Sequence, residues 1–156
     1  SYSAINALMA ANVLVVPIPP SLLDFASSAQ FWRLYLDFAE PIRKARGVEK
    51  SYDFINVLMT RVDNQESMSA EVRRWIMNGY GDGVLPIEIP KTSIASTASS
   101  QFGTVYDVSE SLSGSKTWKR AYDAYERFVE LMEEQIVSTW AHKAEAAKAL
   151  AKGSKK

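Results

Sequence analysis

The sequence predicts an α/β fold, a parallel sheet with flanking helices that ends in a long amphipathic helix. Three observations carry this expectation. Val13, Leu14, Val15, Val16 and Ile18 form an apolar run without alternation, the pattern of a strand covered on both faces. Two further strand-like runs, near 52–60 and 84–90, are separated from it and from each other by stretches of helical periodicity. Near the end, Trp118, Tyr122, Tyr125, Phe128, Met132, Ile136 and Trp140 make one apolar stripe at helical spacing.

The elements follow in order. Residues 3–11 are helical in composition. Pro17, Pro19 and Pro20 are expected to end the first strand, because proline lacks the N–H that a central strand needs. Ser21 with Asp24 three residues on reads as a capping box. Leu22, Phe25, Ala29, Trp32 and Leu36 then recur at 3–4 spacing, the buried face of a helix. Pro41 is expected to kink that helix or to start a second one. Gly47 after Arg43, Lys44 and Arg46 is a basic last turn with glycine at the stop.

The second strand, 52–60, leads to a loop at Asp63, Asn64 and Gln65 and a helix over 69–78. The glycines of NGYGDG (78–83) lack a following Lys-Ser/Thr and run into a strand. They predict a turn, not a phosphate cradle. The third strand ends at Pro90, residues 92–100 form a helix of small residues, and 109–115 form a Ser/Gly loop. The last helix starts near Lys116. Residues 1–150 read as one domain and 151–156, AKGSKK, as a flexible basic tail.

Composition narrows the classes. Lysine plus arginine equal aspartate plus glutamate at 18 each, so net charge gives no global argument for nucleic acid. The absence of cysteine excludes disulfides and thiolate metal sites. No apolar run approaches the roughly 20 residues of a membrane span, and nothing at the start reads as a signal peptide. A cytoplasmic protein without a membrane partner is the expectation. Three strands are fewer than sheets usually hold, and they would leave a hydrophobic edge open. That predicts further sequence, or a partner that completes the sheet.

Three segments, in order and spacing, resemble one family. NALMAANVLVVPIPPSLLDFASSAQF (6–31) is similar to the strand and loop after the Walker B region of ParA-type, deviant-Walker partition ATPases, closest to the plasmid ParA/RepA branch. VLMTRVDN (57–64) resembles the family strand that ends in Thr-Arg and an acidic residue. VLPIEIPKTSIASTASSQFGTVYDV (84–108) resembles the strand ending in Pro and a basic residue, with its Ser/Ala-rich helix and "TVY" turn. The likeness spans roughly residues 3–137. The family's phosphate-binding loop and acidic Walker residues precede this region and are not in the chain, which opens with Ser-Tyr-Ser. The resemblance therefore implies the C-terminal part of a P-loop NTPase of the ParA/MinD type.

The resemblance also implies roles. Thr60, Arg61, Asp63, Pro90 and Lys91 would border the nucleotide base; the alternative is an ordinary strand-end loop with surface ion pairs. Lysine at 91 replaces the arginine of many relatives, which puts a bidentate role in doubt. Pro19, Ser21 and Asp24 would lie near the interface of an ATP-sandwich homodimer, although capping alone explains Ser21 and Asp24. Arg73, Arg74, Lys116, Lys119 and Arg120 would contact DNA phosphates without sequence preference, or form a solvated charged face. His142, the single histidine, reads as a solvated helix residue, and no metal or catalytic residue is assigned.

For the intact protein the family implies ATP and Mg²⁺ as cofactors, nucleotide-dependent dimerisation, nucleoid DNA and a ParB-type protein as partners, and ParB-stimulated hydrolysis. Without the phosphate loop the 156 residues are expected to be inactive alone. The competing expectation is a non-catalytic α/β interaction module. A small enzyme of another class lacks support, since no nucleophile–base pair or carboxylate pair falls at a strand end.

Overall fold

The computed structural model describes residues 2–45, 47, 52–65, 67–109 and 114–153. It is α/β, with helices on both faces of a three-stranded parallel sheet in the order β1 (Val13–Ile18), β2 (Phe54–Val62), β3 (Val84–Pro90). The helices are α1 (Tyr2–Ala10), α2 (Leu22–Leu34), α3 (Glu40–Ala45), α4 (Ser67–Tyr80), α5 (Ser93–Ser100) and α6 (Ser115–Gly153).

Each sheet face has its own core. Ile18, Val57, Met59, Val62 and Val84 pack under Val72, Ile76 and Tyr80 of α4 and Phe25 of α2. On the opposite face Leu58, Leu85 and Ile89 pack under Ala124, Tyr125, Phe128 and Met132 of α6. A third cluster, Ile94, Ala98, Val105, Val108 and Ala121, joins α5 to the start of α6. The stripe read from the sequence thus packs on the α5 cluster at Trp118 and on the sheet from Tyr125 to Ile136, beyond which Trp140 is largely exposed.

Several local expectations are corrected. β1 ends at Ile18, before Pro19 and Pro20 as expected, but it runs through Pro17, and its residues 13–16 are only half-buried. The reason is its place at the sheet edge, where an absent N–H breaks no ladder bond if it faces outward. Pro86 occupies β3, the other outer strand, and is exposed. β2 begins at Phe54 and extends to Val62, past the expected end at Thr60. Arg61 bulges there with φ +53°, and the register with β3 shifts between Met59 and Val62. The bulge resets the alternation, so that Val62 returns to the α4 side with Val57 and Met59.

Pro41 is the second residue of α3, so the expected second helix does begin here, with the proline in its first turn. A π turn at Tyr35–Ala39 joins α2 to α3, and Glu40 N–H bonds to Tyr35 O, five residues back. The wider turn lets the chain pass a residue that cannot donate and whose ring crowds the preceding turn. Gly47, with φ +68°, stands beyond α3 as expected of a helix stop. The guanidinium of buried Arg43 lies 4.4 Å over the Tyr52 ring, whose hydroxyl donates to Leu8 O at 2.6 Å. α6 continues through Gly153, so the expected tail is helical over its first three residues, and 154–156 lie outside the described residues. Residues 110–113 of the expected Ser/Gly loop also lie outside them.

Candidate functional site

The carboxyl ends of the three strands meet at one edge of the sheet. Ligands of open parallel sheets bind at such edges, because the loops leaving the strands diverge there. Three adjoining cavities fill this edge. A cleft of about 920 Å³ is lined by Thr60, Arg61, Asp63, Pro90 and Lys91, with hydroxyls from α5 and the rings of Tyr125 and Phe128. A second, about 470 Å³, takes in Asp63, Glu88, Pro90, Lys91 and Arg120. A third, about 210 Å³, joins Arg61 and Lys91 to Pro19, Pro20, Ser21 and Asp24 of the β1–α2 loop.

Backbone geometry positions the polar groups. The bulge turns Arg61 outward, and among the described residues its guanidinium makes no ion pair. A non-glycine residue in the left-handed region costs roughly 1–2 kcal/mol. Lys91 N–H donates to Val62 O at 2.9 Å, fixing the end of β3 to β2. Across that junction the Lys91 ammonium lies 3.3 Å from the Asp63 carboxylate, which also accepts from Gln65 N–H at 3.0 Å. The Gln65 bond first, and then the Lys91 ammonium, hold the Asp63 carboxyl below its usual range. Arg120 Nη2 reaches Lys91 O at 3.5 Å, so α6 contributes a third cation to the rim, beside Arg61 and Lys91.

Five sequence-nominated residues, Thr60, Arg61, Asp63, Pro90 and Lys91, therefore line one cleft, and Pro19, Ser21 and Asp24 border it. Ser21 caps α2: Asp24 N–H donates to Ser21 Oγ at 3.2 Å, and the hydroxyl donates to the Asp24 carboxylate. Arg73 lies elsewhere, on α4, in a fork with Glu88: Nε to Oε1 at 2.8 Å and Nη2 to Oε2 at 2.6 Å. Its Nη1 also donates to Asn64 Oδ1 at 3.1 Å. Arg74 and Lys116 are exposed. Lys119 pairs one turn along with Asp123 at 3.0 Å. The five basic residues do not form a single patch.

Sequence reasoning missed three contributions. Arg120 enters the cleft rim because α6 packs across the sheet, a long-range consequence with no local signal. Glu88 and Asn64 form the socket of Arg73. Ser93, Ser96 and Ser99 line the cleft from α5; their 3-residue spacing placed them on one face, but the segment was read only as rich in small residues.

The cleft suits a planar, polar-edged ring: apolar surface from Leu58, Ile89, Tyr125 and Phe128, with hydroxyls and a guanidinium at its margin. It does not suit a polyphosphate on a glycine loop, since Gly81–Gly83 precede β3 at the opposite end of the sheet. Among the described residues no group of three or more histidine, aspartate or glutamate side chains could hold a metal ion. No helix among them is long and apolar enough to cross a membrane.

The chain matches no family model. It is 25% identical over 139 residues, 89% of its length, to a putative replication protein A of Rhizobium rhizogenes, and 26% identical over 142 residues to that of Sinorhizobium fredii. Protein SopA of Escherichia coli strain K12 is 27% identical over 124 residues, 78% of the chain. The chain spans about a third of the length of these curated relatives.

Proposed function

We propose that this chain is the C-terminal portion of a ParA-type partition ATPase of the P-loop NTPase fold, acting in segregation of plasmid or chromosomal DNA. The observation that carries the reading is the convergence of Thr60, Arg61, Asp63, Pro90 and Lys91 on one cleft at the carboxyl edge of the sheet. These residues fall in two of the three motifs that, in register, resemble the family. Similarity to SopA and to replication protein A over most of the chain supports the same class.

In this reading the chain supplies the base-binding half of a nucleotide site. Leu58, Ile89 and the rings of α6 receive the face of the adenine. Thr60, Arg61 and the main chain around Pro90 meet its polar edge, and the Asp63–Lys91 pair orders the two strand ends. The described residues do not fit the phosphates or Mg²⁺, which we assign to the region of the longer relatives that this chain does not span. Bound ATP would supply the phosphoryl group whose hydrolysis releases a DNA-bound homodimer, with a ParB-type partner as stimulant. Pro19, Ser21 and Asp24 would border the dimer interface, and Arg73, Arg74, Lys116, Lys119 and Arg120 would be candidate DNA contacts. Arg73, already held by Glu88, ranks last among them.

The test is nucleotide binding by the longer protein, with and without Arg61→Gly and Lys91→Ala. Loss of ATP affinity without a lowered unfolding midpoint supports the reading. Wild-type affinity in both variants overturns the assignment of the cleft.

A further inference from the structure

α6 is 39 residues long, about 58 Å at 1.5 Å per residue, and outruns the sheet it covers. Its sheet-facing side ends near Ile136 and Thr139, and residues 141–152 are exposed on every side. Trp140, at the lip of the groove it forms with Val13, Phe54 and Ile136, is still 63% exposed, and Val137 and Val129 beside it on the helix are 57% and 50% exposed. Val137, Trp140, Ala144, Ala147 and Ala151 alternate in steps of three and four, the a/d spacing of a seam between two helices. An unsupported helix of twelve residues is marginal in water, and an exposed tryptophan beside an exposed valine adds to its cost.

Charge names the occupant. Residues 126–134 carry four glutamates against one arginine, and residues 142–152 carry three lysines against one glutamate. A parallel pair of α6 helices would set glutamates against glutamates and lysines against lysines. An antiparallel pair centred between Val137 and Trp140 brings Lys148 and Lys152 of one copy beside Glu130 and Glu126 of the other, and places Glu134 across from residue 143. Some of these groups have partners within the chain: Lys143 pairs with Asp53, and Arg127 lies 3.0 Å from Glu130 and 3.9 Å from Glu134. Glu126, Glu133, Lys148 and Lys152 form no ion pair among the described residues, which leaves net opposite charge at the two ends of the seam.

We infer that two copies of this chain associate through antiparallel α6 helices, with Trp140 of each packed on Val137 of the other and the acidic and basic ends matched. The contact lies at the opposite end of the molecule from the Arg61–Lys91 cleft and needs no nucleotide. It is therefore distinct from the dimerisation invoked under the proposed function.

The test is the oligomeric state of the full chain without nucleotide, by sedimentation over a concentration series. A dimer is expected that weakens at high salt. Val137→Glu with Trp140→Glu should give a monomer of unchanged helical circular dichroism. Lys148→Glu should weaken the dimer at least several-fold, and Glu130→Lys added to it should restore part of the loss. Because the chain has no cysteine, orientation can be read directly. A mixture of Val137→Cys and Trp140→Cys chains should cross-link to each other faster than either does to itself. A wild-type monomer at all concentrations, a dimer indifferent to Val137→Glu/Trp140→Glu, or dominant Val137–Val137 cross-links would each overturn the antiparallel pairing.

Discussion

The two ends of the sheet differ in kind. At the carboxyl ends of the strands stand Arg61, Asp63, Lys91 and Arg120, a bulge with a left-handed arginine, and three cavities that share those side chains. At the amino ends a groove of about 320 Å³ runs between Val13, Phe54, Ile136 and Trp140, bordered mainly by apolar side chains and without a strained residue. The same strands thus end once in a polar, distorted rim and once in an apolar seat for α6. A left-handed arginine and clustered charge around shared cavities are what a binding edge costs a fold, and their coincidence at the carboxyl end is the reason to place function there.

Stability measurements should separate the ends most strongly. Ile18, 1% exposed at the carboxyl end of β1, packs with Val57 and Ile76. Ile18→Ala is expected to destabilise by about 2–5 kcal/mol in chemical denaturation, whereas Val13→Ala, at the half-buried amino end of the same strand, should cost less than about 1.5 kcal/mol. Equal losses would mean that the amino end is as tightly built.

Next is the Arg73 fork. Both partners are less than a third exposed, and three hydrogen bonds converge on one guanidinium. Arg73→Ala should cost about 1–3 kcal/mol, since Glu88 is left partly buried without its donor. Arg74→Ala, on the exposed side of the same helix, should stay within about 0.5 kcal/mol. If instead Arg74 proves the costlier, the fork contributes little to the fold.

Arg61→Gly is a sharper probe of the carboxyl end. Glycine removes the left-handed penalty, so stability should be unchanged or rise by about 0.5–1 kcal/mol while ligand affinity of the longer protein falls. A destabilised variant would show that the guanidinium supports the fold.

The smallest effect is the pH response of Asp63. Its folded pKa is depressed below the unfolded value of about 3.9, so its contribution is fully present above that value and lost as pH falls through the folded pKa. Because the group faces solvent, the Asp63→Asn difference in unfolding midpoint should be slight at pH 7 and vanish in strong acid. A difference that grows on acidification would contradict the assigned bonds.

Much of this molecule was legible in its sequence, for identifiable reasons. The strand and helix order followed from apolar periodicity, and the Ser21 cap and the Gly47 stop followed from side-chain and backbone chemistry that acts within a few residues. The failures sit where tertiary context decides. Pro17 is tolerated because β1 is an edge strand, and Arg61 takes a glycine-like conformation that no local residue type announces. At the cleft, the strand-end residues Thr60, Arg61, Asp63, Pro90 and Lys91 were visible as a set, because strand ends of a parallel sheet must come together. Arg120 and the Glu88–Asn64 socket were not, because they depend on how α6 and α4 lie across the sheet.

The most direct test of the central claim is ATP-dependent DNA binding, at two salt concentrations, by the longer protein to which we assign this chain. The account predicts binding that requires ATP, falls steeply with salt and is lost in Arg61→Gly/Lys91→Ala protein of unaltered stability. DNA binding indifferent to ATP and to both substitutions would contradict it, and would leave the carboxyl-end cleft without the function assigned to it.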